Sequence, residues 1–238
     1  EYYEEGLYQT YTLDECARLA VSLVRGRKVA EGAVECDKSK FFKAEDKKTI
    51  KAYYSGGTLA GEAAMMIKDA LAFTDNTHKD GFKLNHKGHV VIDLGDDMYT
   101  QGKPHPMIDP TKRVECMADA MDDPSTGVIL FDVVLGYGSH DDMAGALIPA
   151  VETLQKKAAE QNREIFFVAE VCGTRNDYQG YDESVKKFQD AGVIVAETNK
   201  LAVETAIEAI GYRFTEEHKE TRPKEVKDFT SAAPSENK

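Results

Sequence analysis

The 238 residues carry a formal net charge of −12, 42% hydrophobic side chains and no tryptophan. The acidic balance argues against nucleic-acid binding, which needs a basic stripe over phosphates, and the apolar runs near 127–134 and 165–171 are too short to span a bilayer. Glu1–Glu5 is acidic where a secretory signal needs cations, so a cytoplasmic chain is expected. Cys16, Cys36, Cys116 and Cys172 lack zinc-type spacing and read as free thiols, with no metal site. A start at Glu1 instead of methionine is what a fragment or processed product would show.

In chain order, residues 1–48 read as a helical lead-in and connector. Thr12 to Glu15 is a capping box. Leu13, Cys16, Ala17, Ala20, Leu23 and Val24 follow at helical spacing, and Gly26 ends the helix. From Thr49 short apolar runs alternate with amphipathic stretches. Strands are expected at 50–55, 90–94, 128–134, 165–171 and 193–196, with helices at 58–73, 111–121, 141–161, 181–191 and 199–210. A hairpin insertion over 82–91, turning at 85–88, leads into the second strand. Near-continuous apolar strands separated by helices specify an α/β, doubly wound, parallel five-stranded sheet of flavodoxin type over 49–212. Residues 213–238 read as a charged tail.

In such folds ligands gather beyond the carboxyl ends of the strands, so those loops hold the candidates. Ser55, Gly56, Gly57 and Thr58 lie between a strand and a helix, where glycines admit an anion and helix amides hold it. A tight turn capped by Ser55 or Thr58 explains the same residues. The long loop 94–110 sets His105 between two prolines, near Asp96, Asp97 and Asp109, suited to acid, base or nucleophile work. Asp109-Pro110 also suits a helix start. Gly136, Gly138 and Ser139 form a second glycine-rich helix start, in which Ser139 with Asp142 can serve as a plain cap. Arg175 is placed to pair with a phosphate or carboxylate, or to tie down Asp177. His78, His86 and His89 surround the hairpin without ligand spacing and read as surface residues, while Met65 and Met66 read as core.

Three motifs in order, Ser-Gly-Gly-Thr-Leu-Ala-Gly-Glu-Ala at 55–63, Ile-Asp-Leu-Gly-Asp-Asp at 92–97 and Gly-Lys-Pro-His-Pro-Met-Ile-Asp-Pro at 102–110, resemble the FdrA family. Proteins of that family look like the α subunit of succinyl-CoA synthetase and are commonly called acyl-CoA synthetases. The resemblance covers about residues 50–212 and implies the C-terminal CoA-ligase domain. It also implies that Ser55, Gly56, Gly57 and Thr58 hold a phosphoryl group. The synthetase's phosphorylated histidine would fall in 172–181, which contains no histidine, and Leu135 stands at the best match to its supporting glutamate. The family's CoA-binding Rossmann domain and an ATP-grasp module have no counterpart here, so CoA or nucleotide would bind through another domain or a partner.

The resemblance further implies oxamate carbamoyl transfer in allantoin breakdown, with partner subunits completing the enzyme and carbamoyl phosphate as the small anionic substrate. A lost phosphohistidine agrees with that chemistry, which needs an anion site and stabilisation of a tetrahedral intermediate. On this reading the 55–58 amides hold the phosphate, His105 with Asp109 handles the proton or carbonyl, and Arg175 assists the anion. The alternatives are a nucleotide-dependent acyl-CoA ligase α subunit with His105 as phosphoryl carrier, and a non-catalytic docking subunit. An FMN binder fits the fold, but the first loop lacks the serines and threonines that wrap the FMN phosphate.

Overall fold

A computed structural model describes residues 8–74 and 79–214. The charged tail from 215 onward and His78 lie outside the described residues. The chain divides into two units, one of Glu1–Gly32 with Thr215–Lys238, the other Ala33–Phe214.

In the first unit, helix α1 spans Leu13–Arg25. Thr12 Oγ1 accepts from Glu15 N at 3.2 Å, and Glu15 Oε2 accepts from Tyr11 N at 2.9 Å, one residue before the donor of a standard capping box. Gly26, at φ 62°, ends the helix as a left-handed cap.

The second unit is built on a six-stranded sheet: β1 (Thr49–Tyr54), β2 (Phe82–His86), β3 (His89–Asp93), β4 (Thr126–Val134), β5 (Phe166–Cys172) and β6 (Ile194–Ala196), in spatial order β2-β3-β1-β4-β5-β6. All neighbours pair in parallel except β2, which runs antiparallel to β3. The hairpin therefore adds an edge strand to the expected five. Its two-residue turn, Lys87 and Gly88, has φ 48° and 85°, as a type I′ turn requires. Taken alone, the parallel strands follow the flavodoxin order, which reverses between β1 and β4 and opens a crevice there.

Strand side chains alternate between two covered faces. A four-residue α3 (Asp97–Thr100) lies in the loop after β3. Tyr53, Ile129, Phe131, Val133 and Phe167 pack with Met117 of α4 (Thr111–Ala120), Leu147 and Val151 of α5 (Met143–Glu160) and Phe188 of α6 (Tyr181–Asp190). The opposite face carries α2 (Gly57–Ala70) and α7 (Asn199–Ala209), whose Ala60, Ala63, Met66, Ile67, Val203, Ala206 and Ile207 are buried. Met66 is core as expected, and Met65 is half-buried.

Two sequence expectations change. The 33–48 stretch is packed: Phe41 and Phe42 meet Phe166 edge-on at 5.2 and 5.4 Å, and Phe42 N donates to Ala209 O. His89 is buried, not superficial. Its Nδ1 accepts from Ile50 N at 3.3 Å, and burial followed by the Lys51 charge pulls its pKa down to about 4.

Candidate functional site

The β1 strand ends at Tyr54 and α2 begins three residues later, so the turn is almost wholly Ser55 and Gly56. Gly56 is the N-cap and no side chain caps the helix, so neither Ser55 nor Thr58 serves as one. The first intrahelical bond is Ala60 N to Gly56 O, so the amides of Gly57, Thr58 and Leu59 have no acceptor within the helix. Gly57 and Thr58 are exposed at this end. These amides and the positive end of the helix dipole lie at the carboxyl end of β1, beside the point where the strand order reverses.

The turn is held from below by a carboxylate. Asp132 Oδ1 accepts from Ser55 N at 2.7 Å and Oδ2 from Gly56 N at 2.8 Å, while Ser55 Oγ lies 3.0 Å from both oxygens. Ser55 N and Gly56 N are thus taken by an internal acceptor, and the outward face is left to Gly57 and Thr58. Asp132 is fully buried, with Arg113 of α4 as its counter-ion: Arg113 donates to the Asp132 carbonyl, and its Nη2 lies 3.5 Å from Oδ1. Next to Asp132 in register on β5 is Glu170, whose Oε2 is buried without a hydrogen-bond partner. Burial first, then the charges of Asp132 and Glu62, pushes its pKa up to about 8. Glu62 itself accepts from Asn199 Nδ2 at 2.6 Å, and Asn199 Oδ1 accepts from the Tyr54 hydroxyl at 2.7 Å.

His105 joins this turn. A methyl group built on Gly95 would lie 2.7 Å from His105 Nε2, 2.8 Å from Ser55 O and 3.2 Å from Asp93 Oδ1, so these groups crowd one glycine. Met107 N donates to His105 Nδ1 at 3.2 Å, which leaves Nε2 to carry the proton of a neutral ring and aims it at the turn. Asp93 crowds the same glycine. Asp93 Oδ1 accepts from Gly95 N at 2.9 Å, Oδ2 pairs with Lys83 at 3.3 Å, and a methyl on Gly57 would lie 2.6 Å from Oδ2.

The remaining candidates lie in other surroundings. Asp109 Oδ1 accepts from Thr111 N at 2.9 Å and Thr111 Oγ1 at 2.6 Å, which lowers its pKa and makes it the acceptor at the start of α4. Gly136 is clamped by Gln179, whose Oε1 accepts from Gly136 N at 3.1 Å and whose Nε2 donates to Gly136 O at 2.8 Å. Helix α5 starts only at Met143, capped by Asp142 through Gly145 N, so Gly138 and Ser139 precede it in a loop and Ser139 is not the cap. Arg175 is exposed and pairs with Asp182 at 3.0 Å, while Asp177 instead accepts from Thr174 N and Oγ1. Among the described residues no group of histidine, cysteine and acidic side chains could hold a metal, and no helix is long and apolar enough to cross a membrane.

Sequence reasoning assigns no role to Asp93, Arg113, Asp132 or Glu170. The signal for two of them was present: a lone acid interrupts each of two otherwise apolar strands, at 132 and 170. A buried strand tolerates a carboxyl only where donors or a proton meet it.

A family model described as CoA-ligase matches residues 53–209. Over 158 residues the chain is 37% identical to uncharacterized protein YahF of Escherichia coli (strain K12), a match that spans 64% of this chain and 31% of that protein.

Proposed function

The chain belongs to the CoA-ligase family, and from that premise we propose that it is the subunit of an acyl-CoA-synthetase-like complex that handles an acyl or carbamoyl phosphate at the start of α2. The observation that carries this reading is the uncapped, exposed first turn of α2 at the point where the strand order reverses. The phosphoryl oxygens sit on the Gly57 and Thr58 amides. His105 Nε2–H faces the carbonyl, polarises it as charge develops on its oxygen, and donates or retrieves the proton. Asp132 keeps the turn in shape. Arg175 is engaged by Asp182, and the anion contacts are assigned without it.

Within this class we favour transfer of a carbamoyl group between oxamate and phosphate, because residues 172–181 contain no histidine to carry a phosphoryl group. The assay is oxamate plus carbamoyl phosphate with all partner subunits present, followed by release of phosphate. Turnover that His105→Asn removes supports the assignment, and no turnover with any 2-oxo amide acceptor contradicts it.

The second reading, a nucleotide-dependent ligase with His105 as carrier, needs a free lone pair on Nε2, so the ring proton must move to Nδ1 and the bond from Met107 N must break. Acid-labile label on His105 after incubation of the complex with labelled nucleotide would establish that reading and displace carbamoyl transfer. CoA or nucleotide is assigned to partner subunits or to another domain.

A further inference from the structure

A buried ion pair, Asp132 with Arg113, and a buried carboxyl, Glu170, lie on and beside adjacent strands under the start of α2. Asp132 is served by Ser55 N, Ser55 Oγ, Gly56 N and Arg113. Glu170, its register neighbour, is buried and has nothing on Oε2. Adjacent strands lie about 4.8 Å apart, so an ionised Glu170 would set a second negative charge against Asp132 with Arg113 already engaged. An unpartnered carboxylate in such a place is costly, whereas the neutral acid is tolerated.

We propose that Glu170 stores a proton in the floor of the 55–58 turn, and that its release weakens anion binding at Gly57 and Thr58. The proposal rests on the reading of that turn as an anion site and assigns its regulation. The other groups around Glu170 support the protonated form. Tyr54 on β1 is buried with its hydroxyl on Asn199, and Glu62 on α2 adds like charge. Burial first, then neighbouring negative charges, pushes Tyr181 on α6 and Cys172 on β5 upward in pKa, Cys172 to about 11, so both are neutral and offer Glu170 no cation. On α7, which packs on β5, the Lys200 cation is paired with Glu204 at 2.8 Å. Glu197, beyond β6, acts on Tyr181 as a further negative charge.

Anion affinity is then high while Glu170 is protonated and falls as pH rises through about 8. The test uses the full chain and sulfate, whose charge is constant across this range, with binding read by calorimetry from pH 6.5 to 9. The wild type is expected to lose about tenfold in affinity over that range, the scale of one added charge at short distance in a partly solvated site. Glu170→Gln, neutral at every pH, is expected to keep the high affinity and a flat profile. Glu170→Leu guards against a folding defect in the first variant and is expected to be flat as well.

Carbon-13 titration of the Glu170 carboxyl is the independent readout, with a midpoint expected near 8. A midpoint in the ordinary glutamate range, or an unchanged pH profile in Glu170→Gln with sulfate still bound, overturns the proposal and leaves the anion site standing. Absence of sulfate binding at every pH in the wild type overturns the anion reading and this proposal with it.

Discussion

Two loops at the carboxyl edge of the sheet look alike in sequence and differ in the folded chain. Ser55–Thr58 and Leu135–Asp142 each follow a buried strand, carry two glycines and lead into a helix. In the first, the helix begins at the second glycine, so its unpaired amides lie at the carboxyl end of β1. In the second, Gly136 is clamped by Gln179 and the helix waits until Met143, where Asp142 takes Gly145 N and pairs with Lys187 at 2.7 Å. What separates the loops is a first helical turn that starts on glycine with no side chain over it, which is the arrangement that leaves amides for an anion.

The sharpest way to break the first loop is from below. Asp132→Ala strands the buried Arg113 guanidinium and unpairs Ser55 N and Gly56 N. Urea unfolding is expected to show a loss of about 3–5 kcal/mol, the scale of removing one partner from a buried ion pair. Acid strikes the same side of the sheet. His89, with a pKa of about 4 against 6.5 in the unfolded chain, accepts from Ile50 N at the base of β1. The unfolded chain takes up the proton first, so the His89 contribution is full above pH 6.5 and is lost as the pH drops towards 4, by on the order of 3 kcal/mol, while Glu170, neutral in the fold up to about 8, contributes the opposite slope above its unfolded pKa. The difference in unfolding free energy between the wild type and His89→Gln across that range isolates the His89 part.

Substitutions in the two loops themselves should separate them. Gly57→Val drives a side chain into Asp93 Oδ2, 2.6 Å from the first added carbon, and is expected to cost about 1–3 kcal/mol and abolish anion binding. Gln179→Ala releases the clamp on Gly136 and is expected to cost about 1 kcal/mol while phosphate affinity stays unchanged. Arg175→Ala removes an exposed ion pair and is expected to leave both melting temperature and phosphate affinity at wild-type values.

The strands were legible because both faces of a parallel sheet are covered, which writes them as apolar runs such as Val128–Val134. The 55–58 turn was legible from glycine placed between a strand and a helix. Less accessible were features set by partners distant in sequence. Asp132 meets Ser55 across 77 positions, and Lys83 reaches Asp93 only after the hairpin folds back along β3. Phe41 and Phe42 sit in a lysine-rich stretch that local composition marks as a connector, yet Phe166 gives them a packing surface. Arg175 illustrates the limit from the other side: its nearest acid in sequence is Asp177, but the start of α6 brings Asp182 to it.

The most direct test of the central claim is amide chemical-shift mapping of the nitrogen-15-labelled chain during titration with inorganic phosphate at pH 7. Saturable shifts centred on Gly57, Thr58 and Leu59, with Gly136 and Gly138 unmoved, are the expected result. Shifts centred on Gly136 to Ser139, or none at the start of α2, would contradict the account.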